Sequence, residues 1–218
     1  MSLRCLVIVI ALAVFGCESS PVVPTSVVSD EGDITPSGTT SPPSQPGPAV
    51  ARPAFKVMTY NVQLANFGAP NTESRKPMIV EIIRLEAPDI VGLQELGSTH
   101  RDDIVAGLQD LYDVYDGGSG MNAELILLRK NVLVGTGQGM VMLSTQCGGS
   151  LGVTFLEVRT LRGVSFVLFN THLCFTDPAQ HAVQVIDTLA ARFPGRQTVL
   201  LGDLNSREGG DTMNFLFE

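Results

Sequence analysis

Near its end the chain carries an apolar run closed by two polar residues: Thr198-Val199-Leu200-Leu201-Gly202-Asp203-Leu204-Asn205. The run reads as a buried strand, and residues two apart on a strand point the same way. Asp203 and Asn205 therefore aim a carboxylate and a carboxamide at a common point, a pairing suited to orienting a water or a phosphate oxygen beside a metal. Three earlier strand ends offer compatible groups. Asn61 follows Phe55-Lys56-Val57-Met58-Thr59-Tyr60, Glu95 follows Asp89-Ile90-Val91-Gly92-Leu93-Gln94, and Asn170 and His172 lie within Phe169-Asn170-Thr171-His172-Leu173. Alone, each has a plainer reading. Asn61 suits a turn, Glu95 an exposed strand terminus, His172 a hydrogen-bonded core histidine, and Asp203 with Asn205 a turn cap. As a set they mark the rim of strand ends where ligands of α/β folds collect.

The elements that position these groups follow from periodicity. Phe55 to Val62 alternates as a strand. Lys76 to Glu86 places Met78, Ile79, Ile82, Ile83 and Leu85 at helical spacing, with Pro77 near the start, where proline is tolerated. Asp89 to Glu95 is a strand after the Pro88 break, and Ser98 or Thr99 caps a second helix carrying Ile104, Val105, Leu108 and Leu111. Apolar runs at 124–129, 132–134, 140–143, 151–158 and 164–170 are separated by Gly-rich turns. A helix over about 178–192 precedes the strand 197–202, and Asp211 reads as the N-cap of a last helix. This order predicts a mixed α/β fold.

The segment before Phe55 has a different character. Arg4 precedes an apolar run from Leu6 to Phe15, too short to span a membrane but suited to the core of an export signal. Ala13-Val14-Phe15-Gly16-Cys17 resembles a bacterial lipobox, in which cleavage before Cys17 leaves that residue to carry lipid; ordinary signal cleavage is the alternative. Residues 18–54 hold eight prolines and no aromatic residue. Such a composition buries too little apolar surface to offset ordering and reads as a disordered tether. The expected organisation is a signal over 1–17, a linker over 18–54 and a folded domain over 55–218. The chain would then be an exported lipoprotein held at a membrane, in the periplasm or at the cell surface. Beyond the signal, Cys147 and Cys174 are a candidate disulfide pair for an oxidising compartment.

Charge narrows the partners. The 218 residues carry a formal net charge of -8, which disfavours coating of polyanions such as long duplex DNA. A smaller phosphoester held through a metal remains compatible.

Taken in order, Met58-Thr59-Tyr60-Asn61-Val62, Asp89 to Glu95, Asn170-Thr171-His172-Leu173 and Gly202-Asp203-Leu204-Asn205 resemble the endonuclease/exonuclease/phosphatase superfamily, the fold of deoxyribonuclease I. Ala123-Glu124-Leu125-Ile126-Leu127-Leu128-Arg129-Lys130 resembles that family's central strand. The resemblance implies a four-layer sandwich of two packed mixed β-sheets flanked by helices, and hydrolysis of a phosphoester: nucleic acid, phospholipid or a small phosphate ester. It implies Glu95 as the main carboxylate ligand of Mg2+ (or Mn2+) and Asn61 as a helper to that metal or its water. Asp203 would orient or deprotonate the attacking water, and Asn205 would hold the phosphate or the aspartate. His172 would donate to the phosphate or protonate a leaving oxygen. Family members carry a further aspartate and a closing Asp-His segment after Gly-Asp-x-Asn. Here only Asp211 to Glu218 follows, and His100 and His181 do not sit in such a context. The resemblance therefore leads to the expectation of a domain whose last strands are missing, with a bare sheet edge and weak or absent activity. The competing expectation is a noncatalytic lipoprotein fragment.

Overall fold

A computed structural model describes residues 7–11, 55–64, 71–117, 124–143 and 152–217. The lipobox with Cys17, the linker and Cys147 lie outside the described residues. Nine strands and four helices follow in order among those described. They are β1 (Val7–Ala11), β2 (Val57–Asn61), α1 (Thr72–Glu86), β3 (Ile90–Gln94), α2 (Ser98–Ala106), β4 (Tyr112–Tyr115), β5 (Leu125–Arg129), β6 (Leu133–Met142), β7 (Gly152–Thr160), β8 (Ser165–His172), α3 (Pro178–Arg192), β9 (Thr198–Asp203) and α4 (Asp211–Phe217).

One sheet has the order β2-β3-β5-β4 and the other β1-β9-β8-β7-β6. Both are mixed. β2 and β3 run parallel with α1 as crossover, as do β8 and β9 with α3, while β3 and β5, and β7 and β8, are antiparallel. Because both faces of β3 are covered, all five of its residues are buried, and Ile90 to Leu93 read as an uninterrupted apolar run. Ile90, Ile126, Leu128, Leu156, Leu168 and Leu201 pack between the sheets. Ile79 and Ile83 of α1, with Ile104 of α2, cover the outer face of the first sheet. Val185 and Leu189 of α3, with Leu216 of α4, join the core on the second. Each such side chain contributes about 1.5–3 kcal/mol relative to exposure. This is the four-layer α/β sandwich the sequence resemblance implies.

The structure departs from the sequence expectations at particular places. α1 begins at Thr72 rather than Lys76, so Pro77 lies inside the helix. Its start is set by Asn71, which adopts φ 63 and whose carbonyl accepts from Ser74 Oγ and Arg75 N–H. The Arg75 guanidinium then donates to the Val62 and Gln63 carbonyls, tying the helix to the loop after β2. Gly97 takes the N-cap position of α2 ahead of Ser98 and Thr99. Asp211 lies in the first turn of α4 rather than before it. A bare edge was expected in one of the sheets; the outer edge of β9 pairs in parallel with β1, from Val7↔Thr198 to Ala11↔Gly202. That strand comes from the run read as an export signal, and both readings draw on the same apolar, β-rich residues. No helix among the described residues is long and apolar enough to cross a membrane.

Candidate active site at the strand ends

The five residues singled out in the sequence converge. Asn61 ends β2 and Glu95 follows β3; Asn61 and Gln94 are register partners. His172 ends β8 and is the register partner of Asp203, which ends β9. The two sheets thus present their C-terminal strand ends to each other. Asn61 Nδ2 donates to Glu95 Oε1 and to Asp203 Oδ2, each at 2.9 Å, joining the sheets across the rim. His172 Nε2 stands 3.7 Å from both Glu95 Oε1 and Asp203 Oδ2. Asn205 Nδ2 donates to the Leu173 carbonyl at 2.7 Å and lies 2.9 Å from His172 Nε2. This contact ties the imidazole to Asn205, and which of the two donates follows the ring's tautomer. The side chains of His172, Glu95 and Asp203 keep 16%, 21% and 17% exposure, enough for a ligand to reach them.

Local backbone geometry holds these groups in place. Glu95 has φ 55 and Asn205 φ 46, left-handed values that a residue with a side chain seldom adopts and that cost about 1–3 kcal/mol each. The Glu95 carbonyl accepts from Leu64 N–H at 2.8 Å, and its own N–H donates to the Glu124 carboxyl. Asn205 tolerates its conformation because Asp203 Oδ1 accepts its N–H at 2.9 Å, an Asx turn. Asn61 is fixed in the same manner, its Oδ1 accepting from Gln63 N–H at 2.9 Å. Gly202, with φ 150, lets β9 approach β8 closely: a Cβ there would stand 2.1 Å from the Thr171 carbonyl oxygen.

Two residues of the site's surroundings, Glu124 and Gln94, were not selected from sequence. Glu124, just before β5, is buried, and burial followed by the carboxylates of Glu95 and Asp203 pushes its carboxyl well above the usual range. Gln94 and Asn170 are buried beneath the rim and bonded to each other. The available signal was a carboxylate opening an apolar strand, but burial is a tertiary property. Of the remaining sequence candidates, Cys174 is disulfide-bonded, and its proposed partner Cys147 lies outside the described residues. His181 is buried and accepts the Cys174 N–H at Nδ1, 3.1 Å away. His100 lies 3.9 Å from Glu73, on α1 rather than at the rim.

The donor set suits a hard cation. Glu95 Oε2 is buried without a hydrogen-bond partner, while its other oxygen and Asp203 face the same point. No group of three or more His, Cys, Asp or Glu among the described residues forms a ready metal cluster. Mg2+ takes one or two carboxylates and keeps its waters, so it does not need one.

Two facing mixed sheets with polar strand ends on one rim define the deoxyribonuclease I-like class, whose members hydrolyse phosphoesters and are generally dependent on divalent metals. The model of the Endonuclease/Exonuclease/phosphatase family matches residues 58–216, and the chain belongs to that family. Solved structures agree in fold. An endonuclease/exonuclease/phosphatase family protein from Bacteroides thetaiotaomicron is 19% identical with a TM-score of 0.66, over 74% of this chain and 67% of that one. A mannosyl-6-phosphatase of the same organism is also 19% identical, with a TM-score of 0.65 over 74% and 69%. TDP2 from D. rerio, complexed with a single-strand DNA product, is 19% identical with a TM-score of 0.59 over 70% and 61%. Comparison with curated proteins gave no match.

Proposed function

We propose that this chain is a Mg2+- or Mn2+-dependent phosphoester hydrolase, exported and held at a membrane through lipid on Cys17. The observation that carries the reading is the convergence of Asn61, Glu95, His172, Asp203 and Asn205 from four strands, with Glu95 Oε2 buried and unpartnered. Glu95 would hold the cation, with Asn61 beside it. When bound, the metal polarises the phosphoryl oxygen and offsets charge that builds up during in-line displacement. Asp203 would orient an attacking water; one of its oxygens accepts the Asn205 N–H and the other accepts from Asn61 at the rim. His172, with Nε2 toward the rim, would donate to the phosphate or protonate the leaving oxygen. A phosphoester as substrate class is supported by the names of two structural neighbours, a mannosyl-6-phosphatase and a TDP2 bound to a DNA product.

The test is turnover of bis(p-nitrophenyl) phosphate and p-nitrophenyl phosphate with Mg2+, Mn2+ or EDTA. Metal-dependent turnover lost in both Glu95→Ala and Asp203→Ala supports the reading. Turnover indifferent to EDTA, or unchanged in both variants, would falsify it. Binding of a phosphoester without turnover would instead favour the noncatalytic lipoprotein. Cys17→Ser, followed by membrane fractionation, tests the anchor: the variant should leave the membrane fraction.

A further inference from the structure

One layer beneath the rim, a chain of buried amides crosses between the sheets. Gln94 Nε2 donates to Thr59 Oγ1 at 3.0 Å and to Asn170 Oδ1 at 2.7 Å. Asn170 Nδ2 donates in turn to the Leu93 carbonyl at 3.0 Å and the Leu125 carbonyl at 2.8 Å. Thr59 and Gln94 are almost fully buried and Asn170 wholly so. Each member sits just below a residue of the rim. Thr59 is two residues before Asn61 on β2, Gln94 immediately precedes Glu95, Asn170 is two residues before His172 on β8, and Leu125 follows Glu124.

The chemistry of this placement is unusual for an interior. Hydrophobic contact between the sheets is tolerant of sliding, whereas Asn170 offers two N–H groups to two main-chain carbonyls at fixed directions. All of its amide capacity beyond one lone pair is used, so no displacement of one sheet past the other preserves every bond. A buried donor left unmatched is costly, so the bonds hold the arrangement in place. Space is reserved for the arrangement as well: a Cβ on Gly92 would stand 2.7 Å from Asn170 Oδ1 and 3.2 Å from Leu201 Cβ.

We propose that Thr59, Gln94 and Asn170 are positioning residues, a buried amide relay that sets the distance between the Asn61/Glu95 half of the site and the His172/Asp203 half. The inference rests on the proposed hydrolytic reading for its activity readout, but not for its metal and spectroscopic ones. Supporting residues one step behind a metal ligand typically change affinity or activity by about 10- to 100-fold when altered.

The test compares Gln94→Met with Tyr112→Phe. The control removes another buried hydrogen bond of the same sheet, Tyr112 Oη to the Pro88 carbonyl at 2.9 Å, on β4 away from the rim. Three quantities are read: the urea midpoint, Mn2+ affinity by electron paramagnetic resonance, and the His172 imidazole 15N shifts. Where the wild type turns over bis(p-nitrophenyl) phosphate, kcat and KM are added. Both variants should lose stability. Only Gln94→Met should weaken Mn2+ binding by about 10-fold or more, shift the His172 nitrogens, and lower kcat with KM within about twofold. If Gln94→Met does not fold, Thr59→Val, which removes a single bond of the relay, should show the same pattern more weakly. Thr59→Ser, retaining the hydroxyl, should restore it. A relay variant that matches Tyr112→Phe in Mn2+ affinity and His172 shifts overturns the proposal. A wild type without turnover overturns the hydrolytic reading alone, since metal affinity and ring shifts still decide this one.

Discussion

Gly202 offers the most direct check on how β9 carries its site residues. In Gly202→Ala, the new Cβ would begin 2.1 Å from the Thr171 carbonyl oxygen, a backbone atom held in the β8–β9 ladder. Contacts of that kind are not seen below 3.0 Å, so the strands must part by about 1 Å or the alanine must leave φ 150. Strain of a side-chain-bearing residue at such a φ costs about 1–3 kcal/mol, and forced overpacking about 1–3 kcal/mol more. The expected loss is therefore about 2–6 kcal/mol from a total on the order of 5–15 kcal/mol, read by urea unfolding. Since His172 and Asp203 are register partners immediately beyond this point, the same 1 Å displacement should lower turnover on the order of 10²-fold. Gly163→Ala is the control. Its φ of 85 is also left-handed, but nothing lies within 4 Å of its Cβ, and it sits in the turn at the far end of β8. It should lose only about 1–2 kcal/mol and leave turnover unchanged. If Gly202→Ala stays within about 0.5 kcal/mol of wild type and within twofold in rate, the close approach of β8 and β9 does not position the site.

Two further outcomes follow from buried groups. Glu124 is held well above its unfolded value of 4.5 by burial and by neighbouring carboxylates, so its stabilising contribution is complete below that value and is lost as pH rises through the folded one. Glu124→Gln has no proton to give up, so in EDTA its urea midpoint should gain on wild type progressively from about pH 4.5 toward neutrality; a gap that is constant with pH would contradict this. For the disulfide, thiol titration of the unfolded chain should rise by two equivalents on reduction if Cys174 is bridged to Cys147. Equal titration in Cys147→Ser before and after reduction would confirm that pairing, and a bridge that persists in this variant would refute it.

Much of the fold and site was legible because its signals are local. The α3 helix matched its predicted span: Asp177 accepts the Gln180 N–H and Pro178 supplies the first turn. The strand ends were readable for the same reason, each an apolar run stopped by a polar residue. What escaped the sequence depends on distant partners. β6 read as two short pieces because its glycines carry no strand signal. A Cβ on Gly135 would enter the Tyr115 ring, and one on Gly139 the Phe155 ring, so neighbouring strands fill the space the glycines leave. β4 is only four residues long and is defined by its pairing with β5. The edge pairing of Val7–Ala11 with β9 joins the two extremes of the described chain, and no local pattern reports it. Glu124 appeared as part of a strand motif, but its confinement beside Glu95 and Asp203 exists only after the sheets close.

Asn61 spends both hydrogens of its amide on carboxylates belonging to opposite sheets. A neutral group thereby stands in for a counter-ion, drawing two anions together without bringing a charge of its own that could titrate. The cation proposed above would find the two carboxylates already side by side and would not have to gather scattered ligands. The ordering cost of the site has already been met during folding.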